Sequence, residues 1–127
     1  MIVGVGTDLV EVARIRKSIA QYGERFLNRV YTETERAYAS PKANAAERFA
    51  ARFAAKEAAM KAVGTGWRRG VTWKDFEVQN ERSGRPALRL SGIALQIAEQ
   101  MGVKRISISL THTAETAFAV IILEDGN

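Results

Sequence analysis

Cysteine is absent from all 127 residues, which excludes disulfides and thiolate metal sites. That composition suits a reducing compartment, and the cytoplasm is the expected setting. Histidine occurs once, at His112, and neither HExxH nor HxxxH spacing is present, so a zinc site is excluded as well. No apolar run reaches the ~18 residues of a membrane span. The start, Met1-Ile2-Val3-Gly4, has no basic segment and no long apolar stretch, so no signal peptide is expected. There is no P-loop and no GxSxG elbow, and Gly4-Val5-Gly6 lacks the third glycine of a dinucleotide-binding turn. Linkers, repeats and low-complexity stretches are missing too, so residues 1–127 are expected to form one domain.

Apolar residues make up 46% of the chain and charged residues 26%, ordinary for a globular protein with a real core. The formal net charge of +5 favours an anionic partner without choosing among nucleic acid, membrane, acidic protein and phosphorylated small molecule. Short strands and helices alternate. Ile2 to Thr7 reads as a strand. Val12, Ile15, Ile19 and Tyr22 recur at helical spacing, and Gly23 suits the helix end. A short apolar cluster follows at Phe26, Leu27 and Val30. Thr32 with Glu35 forms a capping-box pattern, so a helix starts at Glu33. Beyond the break at Pro41 and Asn44, a long Ala-rich helix runs from Ala45 to Val63, with Phe49, Phe53 and Met60 as core contacts and Gly64 as its stop. Val71 to Asn80 and Ala87 to Leu90 flank the turn Ser83-Gly84-Arg85-Pro86 and read as a hairpin. Ser91 is placed to cap a helix carrying Ile93, Ile97 and Met101 and closed by Gly102. Ile106, Ile108 and Leu110 alternate with polar residues in a half-buried strand, and Thr116 to Leu123 reads as a buried one. The fold class is α+β, a largely antiparallel sheet packed against the long central helix.

Chemistry concentrates in Arg52-Phe53-Ala54-Ala55-Lys56-Glu57-Ala58-Ala59-Met60-Lys61. One acid stands among three cations on a few helical turns. The plain reading is a solvated helix face, with Glu57 and Lys61 forming an i,i+4 pair that contributes about 0.2–0.5 kcal/mol. The functional reading pairs Glu57 with Asp8, at the end of the first strand, as two hard oxygen ligands for magnesium on a multiply charged phosphate. Asp8 also directly precedes the first helix, which makes it a candidate N-cap. Gly4 and Gly6 are read as marks of close strand packing. His112, in phase with Leu110, is either a satisfied sheet histidine or a base or phosphate contact at the strand end. Trp67-Arg68-Arg69 forms a basic aromatic loop, suited to stacking on bases or to an exposed hinge.

Gly6-Thr7-Asp8, Arg52-Phe53-Ala54-Ala55-Lys56-Glu57-Ala58 with Lys61, Gly64-Thr65-Gly66 and Ser109-Leu110-Thr111-His112-Thr113 occur in that order. Together they resemble the 4′-phosphopantetheinyl transferases of the small bacterial holo-[acyl-carrier-protein] synthase type, across essentially the whole chain. The most specific part is an aromatic residue, Lys-Glu and a second Lys, matched by Phe53, Lys56, Glu57 and Lys61. The resemblance implies the single-unit 4′-phosphopantetheinyl transferase fold, assembled as a homotrimer with sites between subunits. It implies transfer of phosphopantetheine from coenzyme A to a serine of acyl carrier protein, leaving 3′,5′-ADP, in fatty acid biosynthesis. By the same resemblance Asp8 and Glu57 hold Mg2+, and Lys61 neutralises the attacked phosphate. Arg52, Lys56, Lys61, Gly64 and His112 then contact coenzyme A, and Arg14, Lys17 and Arg25 meet the acidic carrier protein. Neither nucleic acid nor membrane is an expected partner. The loop Trp67-Arg68-Arg69 departs from the shorter, less basic loop of many members.

Overall fold

The computed structural model describes residues 1–66 and 68–127; Trp67, and with it any stacking role, lies outside the described residues. In chain order the elements are β1 (Ile2–Glu11), α1 (Val12–Tyr22), α2 (Glu24–Val30), α3 (Glu33–Ala39), α4 (Ala45–Val63), a 3₁₀ turn (Trp73–Asp75), β2 (Phe76–Asn80), β3 (Pro86–Leu90), α5 (Gly92–Gln100), β4 (Arg105–His112) and β5 (Thr116–Glu124). β1, β5 and β4 form an antiparallel sheet in that order, and β2 with β3 forms a separate antiparallel hairpin.

The long helix α4 positions everything else. Its 19 residues span about 28 Å and end at Gly64, which takes the left-handed conformation at φ 80°. The alanines of α4 and the glycines of β1 let helix and strand backbones lie almost in contact. A Cβ built on Gly6 would sit 1.8 Å from the Ala58 carbonyl oxygen, and one on Gly4 would sit 2.3 Å from that of Ala62. The glycines are there for close packing, as expected.

Inner residues of the sheet form rows across the strands: Gly6–Ile121–Ile108, Asp8–Ala119–Leu110 and Val10–Ala117–His112. β5, paired on both sides, is apolar on both faces. Ala117, Ala119, Ile121 and Leu123 point at α4, while Phe118, Val120 and Ile122 point away.

Several expectations are corrected. The first strand does not stop at Thr7 but continues to Glu11, because its ladder with β5 runs on to Thr116. Asp8 is therefore a strand residue and not the N-cap of α1; that position belongs to Glu11, which makes no side-chain cap bond. The cluster Phe26, Leu27 and Val30 forms a helix, α2, entered through Gly23 at φ 54°. Strand β2 begins only at Phe76. Just before it, Asp75 accepts hydrogen bonds from Thr72 Oγ1 (2.9 Å) and from the Ala94 amide (3.3 Å). Asp75 thus satisfies the start of α5 in place of Ser91, which holds the cap position without a side-chain bond. On α5 the core residues are Ala94, Ile97 and Ala98, whereas Ile93 is exposed.

Candidate active site

Close contact between β1 and α4 brings Asp8 to one flank of the helix. Lys61 Nζ donates to Asp8 Oδ1 (3.1 Å) and to the Thr7 carbonyl (3.0 Å). Glu57, one turn before Lys61, is half-buried on the same flank. Burial pushes its carboxyl above the usual carboxylate range, and the negative charge of Asp8 pushes it further, against the pull of Arg14 and Lys61. Carboxylates gathered on one flank in this way could serve as ligands for a hard divalent cation. Among the described residues no group of three or more His, Cys, Asp or Glu could hold a metal. Magnesium keeps water and substrate phosphate among its ligands and needs few from the protein, and Asp8 with Glu57 could supply two carboxylates.

Arg52 lies five residues before Glu57, about 140° further round the helix. It faces the other flank, toward α3, the hairpin and β4. Its side chain is buried, 3% exposed, with the guanidinium 4.2 Å from the Tyr38 ring. Nη2 donates to Asn80 Oδ1 (2.6 Å), and Nε is buried without a hydrogen-bond partner. Arg48, one turn earlier, donates from Nη1 to Tyr38 Oη (3.1 Å). With His112 and Asn80 these side chains line a cleft of about 150 Å³. His112 Nδ1 is 3.0 Å from Glu47 Oε1. Arg48 was not anticipated from sequence, although its i,i+4 spacing with Arg52 was visible.

Lys56 requires a correction. It is 0% exposed and all three of its protons are used inside the protein. Nζ lies 2.8 Å from Glu35 Oε1 and donates to the carbonyls of Trp73 (3.1 Å) and Phe76 (2.5 Å). No donor is left for coenzyme A. Burial lowers its pKa, and Glu35 works against that. Glu35 was read only as half of a capping box, and the box is present. The same carboxylate also accepts from the Val78 amide (2.8 Å), a role without a local sequence signal because the partners are 43 residues apart.

Gly64 caps α4, and among the described residues no atom beyond its chain neighbours stands within 4 Å of where its Cβ would be. Arg14 and Lys17 are exposed on α1, opposite the buried Val12 and Ile15. Arg14 leans over the Phe53 ring at 5.3 Å and belongs electrostatically to the Glu57 flank. Arg25 lines a separate surface cleft with Tyr22, Phe26 and Arg29. The structure therefore unites Asp8, Glu57, Lys61 and Arg14 on one flank, and Arg52 and His112 on the other.

The sequence pattern of the 4′-phosphopantetheinyl transferase superfamily matches residues 4–121. The holo-[acyl-carrier-protein] synthase of Solibacter usitatus is 59% identical over 125 residues, covering 98% of this chain and 100% of that protein. The crystal structure of the Neisseria meningitidis holo-[acyl-carrier-protein] synthase aligns with a TM-score of 0.88 at 34% identity, over 98% of this chain and 100% of that one. The Bacillus anthracis holo-(acyl-carrier-protein) synthase, solved in complex with CoA (3′,5′-ADP), aligns with a TM-score of 0.82 at 38% identity, over 99% of each chain.

Proposed function

We infer the reaction of this chain from its family: it belongs to the 4′-phosphopantetheinyl transferase superfamily, and its fold is that of the holo-[acyl-carrier-protein] synthases. It transfers 4′-phosphopantetheine from coenzyme A to a serine of apo acyl carrier protein. The serine hydroxyl oxygen forms a bond to phosphorus and gives up its proton to solvent, the pyrophosphate bridge breaks, and 3′,5′-ADP leaves. One observation carries the assignment of this chemistry to particular residues: Asp8 and Glu57 share one flank of α4 beside Lys61.

Asp8 and Glu57 would hold magnesium, whose chemistry when bound is to neutralise phosphate charge. Lys61, which bonds to Asp8 and the Thr7 carbonyl, would take up charge on the attacked phosphate. Arg52 and His112, joined by Arg48, form the cationic cleft for coenzyme A phosphate. Gly64, open on its side-chain face, is a backbone contact for coenzyme A. Arg14, Lys17 and Arg25 present positive charge to the acidic carrier protein, which steers encounter.

The active form is proposed to be a homotrimer of single-domain subunits. The outer sheet face exposes Val5 (55%), Leu9 (67%) and Phe118 (37%), and Val5–Ile122 and Leu9–Phe118 are directly paired across β1 and β5. A contiguous apolar face of this kind marks an interaction surface. The acid pair and the cationic cleft also lie on opposite flanks of α4, so a substrate reaching both groups at once would be shared between neighbouring copies. Fatty acid biosynthesis in the cytoplasm is the proposed setting; no helix among the described residues is long and apolar enough to cross a membrane.

Thermal melting tests the assignment. Magnesium with coenzyme A at about 100 times its dissociation constant should stabilise the chain by about 2.7 kcal/mol, and magnesium with an oligonucleotide should not. Protection by the oligonucleotide alone would overturn it.

A further inference from the structure

Glu47 stands in the first turn of α4, where the helix N-terminus alone favours a carboxylate. Its side chain is directed elsewhere. Asn44, at the N-cap, makes no side-chain cap bond, and its Oδ1 accepts instead from Arg48 Nε (3.3 Å). Glu47 reaches across to the end of β4, where Oε1 lies 3.0 Å from His112 Nδ1, a contact between residues 65 apart in sequence. Both side chains are largely buried, 21% and 24% exposed.

His112 borders the cleft that also holds Arg48 and Arg52 from α4 and Tyr38 from α3; the hairpin adds the uncharged Asn80. Glu47 is the acid facing the ring. With Nδ1 directed at that carboxylate, Nε2 on the opposite edge of the ring has no hydrogen-bond partner among the described residues. A neutral ring protonated on Nδ1 offers only a lone pair at Nε2, which repels an anion. Only the imidazolium offers an N–H there. Arg48 and Arg52 bring two positive charges to the cleft, and Glu47 brings the negative charge that faces the ring.

We propose that Glu47 is a positioning residue for phosphate capture: it holds His112 by Nδ1, so that coenzyme A binding draws one proton from solvent onto Nε2. The proposal rests on the reading of Arg52 and His112 as coenzyme A contacts. Binding is then proton-linked through one imidazole, with Glu47 its counter-ion.

The single histidine makes the test direct. Calorimetry of coenzyme A binding to the full chain, at mildly alkaline pH where free imidazole is neutral, is run in two buffers of different ionisation enthalpy. Wild type is expected to take up a fraction of a proton approaching one per site, and His112→Gln none. The isosteric Glu47→Gln loses the uptake and binds coenzyme A about ten-fold more weakly, the scale of one charge-assisted hydrogen bond. Glu47→Asp, which keeps the charge, retains part of both. The ¹⁵N signals of the bound imidazole show both nitrogens protonated in wild type and not in Glu47→Gln. Equal proton uptake in wild type and Glu47→Gln overturns the proposal while leaving the cleft assignment standing. Coenzyme A affinity unmoved in His112→Gln overturns the cleft assignment, and the proposal with it.

Discussion

Asp8 and Glu57 oppose each other whenever both are ionised, and this gives the site a measurable tension. Burial, and then the charge of Asp8, raise the Glu57 pKa above its unfolded value. Between the two values the folded chain keeps a proton that the unfolded chain has lost, so stability falls as pH rises through that window. Glu57→Gln removes the penalty. The metal-free variant is expected to melt higher than wild type at neutral pH, to match it at acid pH and to have no transfer activity. Magnesium with coenzyme A should raise the wild-type melting temperature more than that of the variant. A Glu57→Gln protein that melts lower than wild type at neutral pH would contradict this account of the pair.

At the level of elements, α4 is held from both sides: β1 against its alanines, and α3 with the hairpin through the buried Glu35–Lys56 pair. Lys56→Met leaves a buried carboxylate without its partner and should destabilise the fold by about 3–5 kcal/mol, measured by denaturant unfolding. Lys56→Met with Glu35→Gln should recover part of that loss, and coenzyme A affinity of the folded double variant should stay near wild type. Weak coenzyme A binding in that folded double variant would return Lys56 to the binding site. Much of this arrangement is legible in sequence where the signal is local. Asn44 and Gly64 bound α4 as expected, Thr32 and Glu35 close their box, and Gly84 marks the hairpin turn, although Pro86 already belongs to β3. The aromatic-Lys-Glu-Lys pattern with Asp8 pointed to the family that the comparisons identify. Long-range pairing was not legible. Asp8 resembles a cap because a helix follows it closely, and only β5 on the neighbouring strand keeps it in β1. Lys56 resembles its neighbouring ligands because charge alone does not reveal which helix face is buried.

For the whole molecule, two surfaces are predicted to act separately. The outer sheet face, with Val5, Leu9 and Phe118, should make wild type trimeric by light scattering and Leu9→Asp monomeric with little transfer; a fully active monomer would refute the shared site. On α1, exposed cations contribute little to folding, about 0–1 kcal/mol per surface pair, but complementary charge makes association fast and salt-sensitive. Lys17→Glu should raise the carrier-protein KM and leave coenzyme A affinity unchanged. Arg14→Glu should harm both, because Arg14 also favours the ionised form of Glu57. Unchanged carrier-protein KM in both variants would remove this helix from the docking surface. The central claim is that this chain performs phosphopantetheinyl transfer and that Asp8 and Glu57 are essential to it. Intact-mass spectrometry of apo acyl carrier protein, incubated with the chain, magnesium and coenzyme A, measures it directly. Wild type should add one phosphopantetheine to the carrier protein, while folded Asp8→Ala and Glu57→Ala add essentially none; an unmodified carrier protein with wild type, or near-native conversion by either variant, would contradict the account.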